Sequence, residues 1–406
     1  MLLSNFIGNM AQGMTMITIP MYFTSQQLGN AFVVFYWCVT LVTLFWTPYA
    51  GMLVDRYDRR KIFLYANLSC TVILSAIAAA AFFMGEMPAW GAGAAFAMTF
   101  FNYNIYYACF YAFLQEITPP AGYGKLASTI EVQGQFGSTI AGALAAMLWT
   151  GECIGSFCLP KFSLTEIIAI NAACYLLTYL IIRSMRYVSN TERLAAEADD
   201  SALKRLLTGW QWLREHNYIL IFGVISFAVF LVVILGTFSL NPIYAEQHLG
   251  GGKAIYAWSE VTYSIGAVIS GAAVAWAFAW TNALRAIIYL TIATIGLCVV
   301  LFLTKNEWIF YAMCFVLGLT NAGVRVLRVP YIFAVVPNWV AGRVNSIFAV
   351  SNVVLRLFFL AIFALPFFHE GANIVWSFGI LALFLLFATI VLVLIYPHMP
   401  KVAEKK

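Results

Sequence analysis

Five ionisable side chains lie where an ionised group is expensive. Glu131, Glu260, Arg325, Arg328 and Arg356 fall inside long apolar stretches of this chain. A charge at the centre of a bilayer costs at least about 2.5–3.5 kcal/mol on insertion scales, so such a group normally faces a cavity or a partner. Burial raises a carboxyl pKa toward the working range and a neighbouring guanidinium lowers it again, which suits a proton carrier. Glu131 and Glu260 are therefore proton-coupling candidates, the other reading being permanently ionised structural groups near the membrane edges. Arg356 lies thirteen residues past Arg343, about 20 Å along a helix, deep enough to line a cavity. It is the first substrate-binding candidate, against an internal ion pair with Glu131 or Glu260. Arg325, one turn deeper than Arg328, is the second, and Arg328 is expected to snorkel to the nearby edge.

Neutral polar groups add to this set. The run Asn102-Tyr103-Asn104-Ile105-Tyr106-Tyr107 is unusual for a lipid-facing surface, and Asn104 and Tyr107, a turn apart, could stack on and hydrogen-bond a ring-bearing solute. Gln12 and Asn321, in other apolar segments, are further substrate-contact candidates. No nucleophile–base constellation, phosphate loop or metal-ligand spacing occurs, and the four histidines fall at segment ends or in loops. Neither an enzyme nor a cofactor or metal is expected, and with no ATP-binding domain any uphill movement of solute would draw on an ion gradient. Of the eight cysteines only Cys153 and Cys158, in Gly151-Glu152-Cys153-Ile154-Gly155-Ser156-Phe157-Cys158, are placed to pair in an oxidising exterior; a disulfide and two free thiols both remain open.

The elements that must position these groups are membrane-spanning helices. With 63% hydrophobic and 10% charged residues and a mean hydropathy of +0.87, the chain is far from soluble composition. Apolar runs long enough to cross a hydrocarbon core recur at 2–23, 31–54, 62–84, 89–114, 126–150, 164–186, 218–242, 254–279, 284–303, 308–330, 343–366 and 373–396. The first has no basic stretch before it and carries Asn5, Asn9 and Gln12, so it reads as a span and not as a cleaved leader. Lys and Arg concentrate in the even-numbered connections, the middle segment and the tail, against only Lys161, Lys253 and Lys305 on the other side. That bias predicts both termini in the cytoplasm. The net charge of +5 follows from this topology, and no nucleic-acid partner is expected.

Between the second and third spans stands Gly51-Met52-Leu53-Val54-Asp55-Arg56-Tyr57-Asp58-Arg59-Arg60-Lys61. It resembles the loop motif G-x-x-x-D-R-x-G-R-R of the major facilitator superfamily, with Asp58 where Gly is usual. A duplication fits the likeness. Gln26-Gln27-Leu28-Gly29 with Trp37 matches Gln247-His248-Leu249-Gly250 with Trp258 at an offset of 221, and Pro119, Gly124 and Lys125 match Pro337, Gly342 and Arg343 at 218. In the second copy Gly271 matches Gly51, but no acid or Arg cluster follows.

The resemblance implies an all-α membrane protein of twelve transmembrane helices in two pseudo-symmetric six-helix halves, at 1–186 and 218–396. A cytoplasmic linker at 187–217 contains an amphipathic segment, and a tail occupies 397–406. It implies a gate in which Asp55 meets the start of the eleventh helix and Arg59 pairs with Glu116, with Gly51, Arg56 and Arg60 completing the motif. The plainer reading of these cations is that they set topology. The form of the motif, and the segment Gly209–Asn217 before the seventh span, most resemble bacterial drug and siderophore exporters. The expectation is a monomeric, proton-coupled exporter of an amphipathic or anionic small molecule in the bacterial inner membrane. A nutrient or siderophore importer, and a non-transporting receptor or lipid-moving protein on the same fold, are the alternatives.

Overall fold

The computed structural model describes residues 2–117, 133–134, 137, 140–141, 144–145, 147–149, 151, 153–154, 157–158, 160–185 and 202–400. Glu131, the 187–201 part of the linker and the tail from 401 lie outside the described residues, and at Gly51, Asp55, Arg56, Tyr107, Glu116, Cys153 and Cys158 the description is of backbone alone. Two compact units emerge. One comprises Met1–Asp200 with Gly251–Val261, and the other Ser201–Gly250 with Thr262–Lys406.

In the first unit, α1 (Leu2–Ser25), α2 (Gly29–Arg56), α3 (Arg59–Met84) and α4 (Ala89–Ile117) are followed by α5, helical at the described positions between 133 and 149, and by α6 (Leu164–Ser184). Each apolar run becomes a helix because a backbone in hydrocarbon must satisfy its own hydrogen bonds. Their ends are set locally. Gly85, with φ +81°, takes the left-handed turn that stops α3, and Ser163 with Glu166 forms a capping box that starts α6. Small residues allow close packing: Gly13 of α1 lies against Ala141 of α5, and Gly93 of α4 lies beneath the Phe35 ring. The interior also holds buried amides, Asn67, Asn102 and Asn171, the last donating to Thr15 across the α1–α6 contact. Among the described residues the strand pairing is a two-residue antiparallel ladder, β1 (Cys153–Ile154) with β2 (Phe157–Cys158), in which Cys153 and Cys158 stand directly opposite.

The second unit opens with α7 (Ala202–Glu215), the amphipathic segment expected before the seventh span. Its Gly209 and Leu213 are buried, and Gly209 packs on the backbone of Arg343. The seventh span then forms two helices, α8 (Asn217–Ile225) and α9 (Ala228–Leu235), continued by π-helical turns at Gly236–Leu240 and Tyr244–His248. Next come α10 (Gly252–Ala277), whose first turns group with the first unit, α11 (Ala283–Leu303), α12 (Glu307–Val335), α13 (Asn338–Phe363) and α14 (Val375–Ile395). Gly266 of α10 and Gly318 of α12 mark the tightest crossing: a methyl on Gly266 would overlap the Phe315 carbonyl, and one on Gly318 the Tyr263 carbonyl. Eight spans among the described residues are long and apolar enough to cross a membrane.

Candidate functional site

At the junction of α2 and α3, the last two turns of α2 carry Gly51, Asp55 and Arg56, and Tyr57 ends the helix. Asp58 is the residue that departs from the family motif, and its role is plain: its Oδ1 accepts the Lys61 N–H at 3.1 Å, capping α3. The sequence signal was there, an Asp just before an apolar helical run. Arg60 donates from Nη2 to the Arg183 carbonyl at 2.7 Å and from Nε to the Ile182 carbonyl at 3.4 Å. It therefore caps the C-terminus of α6, where the helix dipole favours a cation. The backbone carbonyl of neighbouring Arg59 accepts from Cys109 Sγ of α4 at 3.3 Å. This ties the start of α3 to the helix that ends near Glu116.

Within the first unit, Asn104 is half-buried. Its Nδ2 donates to its own helix at Phe100 O, 2.8 Å away, and its Oδ1 lies 3.5 Å from Thr47 Oγ1 of α2. Gln12 is half-buried on α1 on the same face as Asn5 and Asn9, and a methyl added at Gly137 of α5 would come within 3.5 Å of Asn9 Cβ. Glu260 is buried, 7% exposed, among Tyr256, Ala257 and Val261 in the part of α10 that belongs to this unit.

The second unit gathers the guanidinium groups. Asn321, Arg325 and Arg328 follow one another at i, i+4 and i+7 along one face of α12. Asn321 is buried and donates through Nδ2 to the Tyr263 hydroxyl of α10 at 2.7 Å, so this amide ties two helices together. Arg325 is half-buried, and Arg356 of α13 is 5% exposed. Asn352, one turn before Arg356, is also buried, and its Nδ2 has no hydrogen-bond partner among the described residues. Sequence reasoning passed over Asn352 and Tyr263; an amide four residues before a buried arginine is the signal that could have found the first.

Arg328 is a correction. It was expected to snorkel from the end of its helix, but α12 continues to Val335, leaving Arg328 two turns from that end and only 7% exposed. Its guanidinium carbon lies 3.6 Å from the centroid of the Phe227 ring and its Nη1 donates to the Ser226 carbonyl at 3.3 Å. The acids of this unit, Glu215, Glu246, Glu307, Glu370 and Glu404, all stand at helix ends, in connections or in the tail. Guanidinium groups are thus the ionisable groups within the spans of this unit, and Glu260 lies on the turns of α10 just before it. Among the described residues no three His, Cys, Asp or Glu side chains gather to hold a metal ion.

Comparison with known proteins agrees with this architecture. The sequence pattern of the Major Facilitator Superfamily matches residues 1–358. Macrolide efflux protein A of Enterococcus faecalis is 22% identical over 227 residues, 55% of this chain and 65% of that protein. The protein of the same name from Streptococcus pyogenes is 20% identical over 224 residues, 55% of this chain and 52% of that one. The chain thus spans between half and two-thirds of the length of these curated relatives. Among solved structures, a mutant of the nucleoside transporter NupG superposes with a TM-score of 0.70 at 11% identity, covering 97% of this chain and 99% of the other. A D-xylose-proton symporter gives 0.65 at 14% identity, covering 98% and 97%.

Proposed function

Because the chain belongs to the Major Facilitator Superfamily and is a multi-pass membrane transporter, we propose that it exports an amphipathic, anionic small molecule in exchange for protons. The observation that carries this reading is the gathering of guanidinium groups within the second unit. Arg356 is buried and Arg325 half-buried, with the amides of Asn352 and Asn321 one turn away on their helices, whereas Glu246 and Glu307 stand at the ends of their spans. A guanidinium held in low dielectric attracts an anion that can reach it, so an anionic solute gains by meeting one there. Glu260, buried in the first turns of α10, and Glu131 are the residues through which a proton would move. The likeness to proteins named for macrolide efflux supports export, and the cation bias supports a bacterial inner-membrane protein with both termini cytoplasmic.

Gating falls to Asp55 and Arg59 with Glu116, in a motif whose Asp58 and Arg60 are already engaged in capping α3 and α6. The purified chain in liposomes with an imposed pH gradient, offered a macrolide, a siderophore, a dye and a small organic anion, tests the reading. Gradient-dependent accumulation of an amphipathic anion on the outward side is expected. Flux in the opposite sense would indicate an importer, and no flux of any solute a non-transporting role.

A further inference from the structure

The seventh span is interrupted well before its one proline, Pro242. The Ser226 N–H still bonds the Phe222 carbonyl at 2.9 Å, the Phe227 N–H turns back to Val224 at 3.3 Å, and α9 begins at Ala228. Such interruptions have an identifiable cause, commonly an inserted side chain. Here the side chain is Arg328 of α12, whose Nη1 donates to the Ser226 carbonyl and whose guanidinium carbon lies over the Phe227 ring, 3.6 Å from its centroid. The two residues of the turn are thus both held by one arginine.

The ends of this span are fixed to different neighbours. Below the break, Gly223 lies so close to the Phe348 ring of α13 that no methyl would fit, Phe222 meets Tyr331 at 5.2 Å between ring centroids, and Tyr218 stacks on His398 at 4.7 Å. Above it, Tyr244 donates to the carbonyls of Thr304 and Leu301 at the end of α11, at 2.8 and 3.2 Å, and His248 Nε2 lies 3.2 Å from the Thr304 carbonyl. A rod anchored to different partners at its two ends, and interrupted between them, concentrates bending at the interruption.

A buried arginine is a poor way to gain stability, since an apolar side chain of similar volume avoids its desolvation. What it supplies is a defined direction: a planar fork onto one carbonyl and a cation over one aromatic face. From this we infer that Arg328 is a positioning residue, setting the angle between α8 and α9 through Ser226 and Phe227 so that the seventh span holds one bend at this turn. The inference goes beyond the proposed export reading and does not need the substrate to be known.

Spin labels carried on non-canonical amino acids at Asn217 and Ile234, in purified full-length protein in nanodiscs, report the bend. A straight helix would put these positions about 25 Å apart, and a fixed bend gives one narrow distance peak. Phe227→Leu keeps an apolar residue but loses the aromatic face, and should broaden that peak. Phe227→Tyr should retain it. Arg328→Met removes the buried charge, and should broaden the peak without lowering the melting temperature; the double variant Phe227→Leu with Arg328→Met should broaden it no further, because both remove one interaction. Native-width peaks in both Phe227→Leu and Arg328→Met would overturn the proposal. So would equal broadening by Phe227→Leu and Phe227→Tyr, since side-chain fit and not the aromatic face under the cation would then be at work. Phe227 is only half-buried, so its variants keep the test available should Arg328→Met fail to fold.

Discussion

Adjacent arginines of the loop motif are assigned different work by their surroundings. Arg60 donates to two carbonyls at the end of α6, a cap partly open to solvent, so Arg60→Ala should cost about 0.5–1.5 kcal/mol and leave flux per folded molecule near native. Arg59→Ala and Asp55→Asn should do the reverse, lowering flux with little change in melting temperature, because a gate contact belongs to one conformational state. Melting curves and liposome flux on the same preparations check both. The motif was readable from residue types alone, whereas the division of labour was not. Which cation reaches a helix end depends on where α6 finishes beside α3, a tertiary fact. The same limit misplaced Arg328: whether an arginine snorkels or buries depends on where its helix ends and on a ring, Phe227, about a hundred residues away.

Helix positions were the most legible feature, because a long apolar run has few fates in a membrane. Expected and observed spans agree closely, as in 89–114 against Ala89–Ile117 and 284–303 against Ala283–Leu303. The break and π-turns of the seventh span were not legible, since 218–242 reads as uninterrupted apolar sequence. Two elements invite tests. Gly318→Ala would push a methyl into the Tyr263 carbonyl and force α10 from α12; overpacking of this kind costs about 1–3 kcal/mol, seen as a lowered melting temperature, whereas exposed Gly371→Ala meets no neighbour and should be mild apart from the strain of its φ of +55°. In the connection between α13 and α14, His369 Nε2 lies 3.0 Å from the Phe363 carbonyl, and burial holds the imidazole pKa below its usual value. The folded state then resists protonation, so this contribution is present above the unfolded value of about 6.5 and is lost as pH falls below it. His369→Gln should flatten the decline in melting temperature between about pH 7 and 5 relative to the native chain.

For the whole molecule, charge is distributed so that one unit holds a buried carboxylate, Glu260, and the other the interior guanidinium groups Arg325, Arg328 and Arg356. Both facts were partly visible as charges within apolar runs, although a sequence cannot show what each of them touches. Arg328 holds the turn of the seventh span, and Asn321 is bonded to Tyr263. Carboxylate-coupled proton exchange is the central claim. Its most direct test uses Glu260→Gln and Glu131→Gln in liposomes, with the solute that the flux screen returns, measuring pH-gradient-driven flux and solute exchange at equal pH side by side. The expected result is that one of the two variants loses driven flux while retaining exchange, because exchange needs no net proton movement. Full driven flux in both variants would contradict the claim.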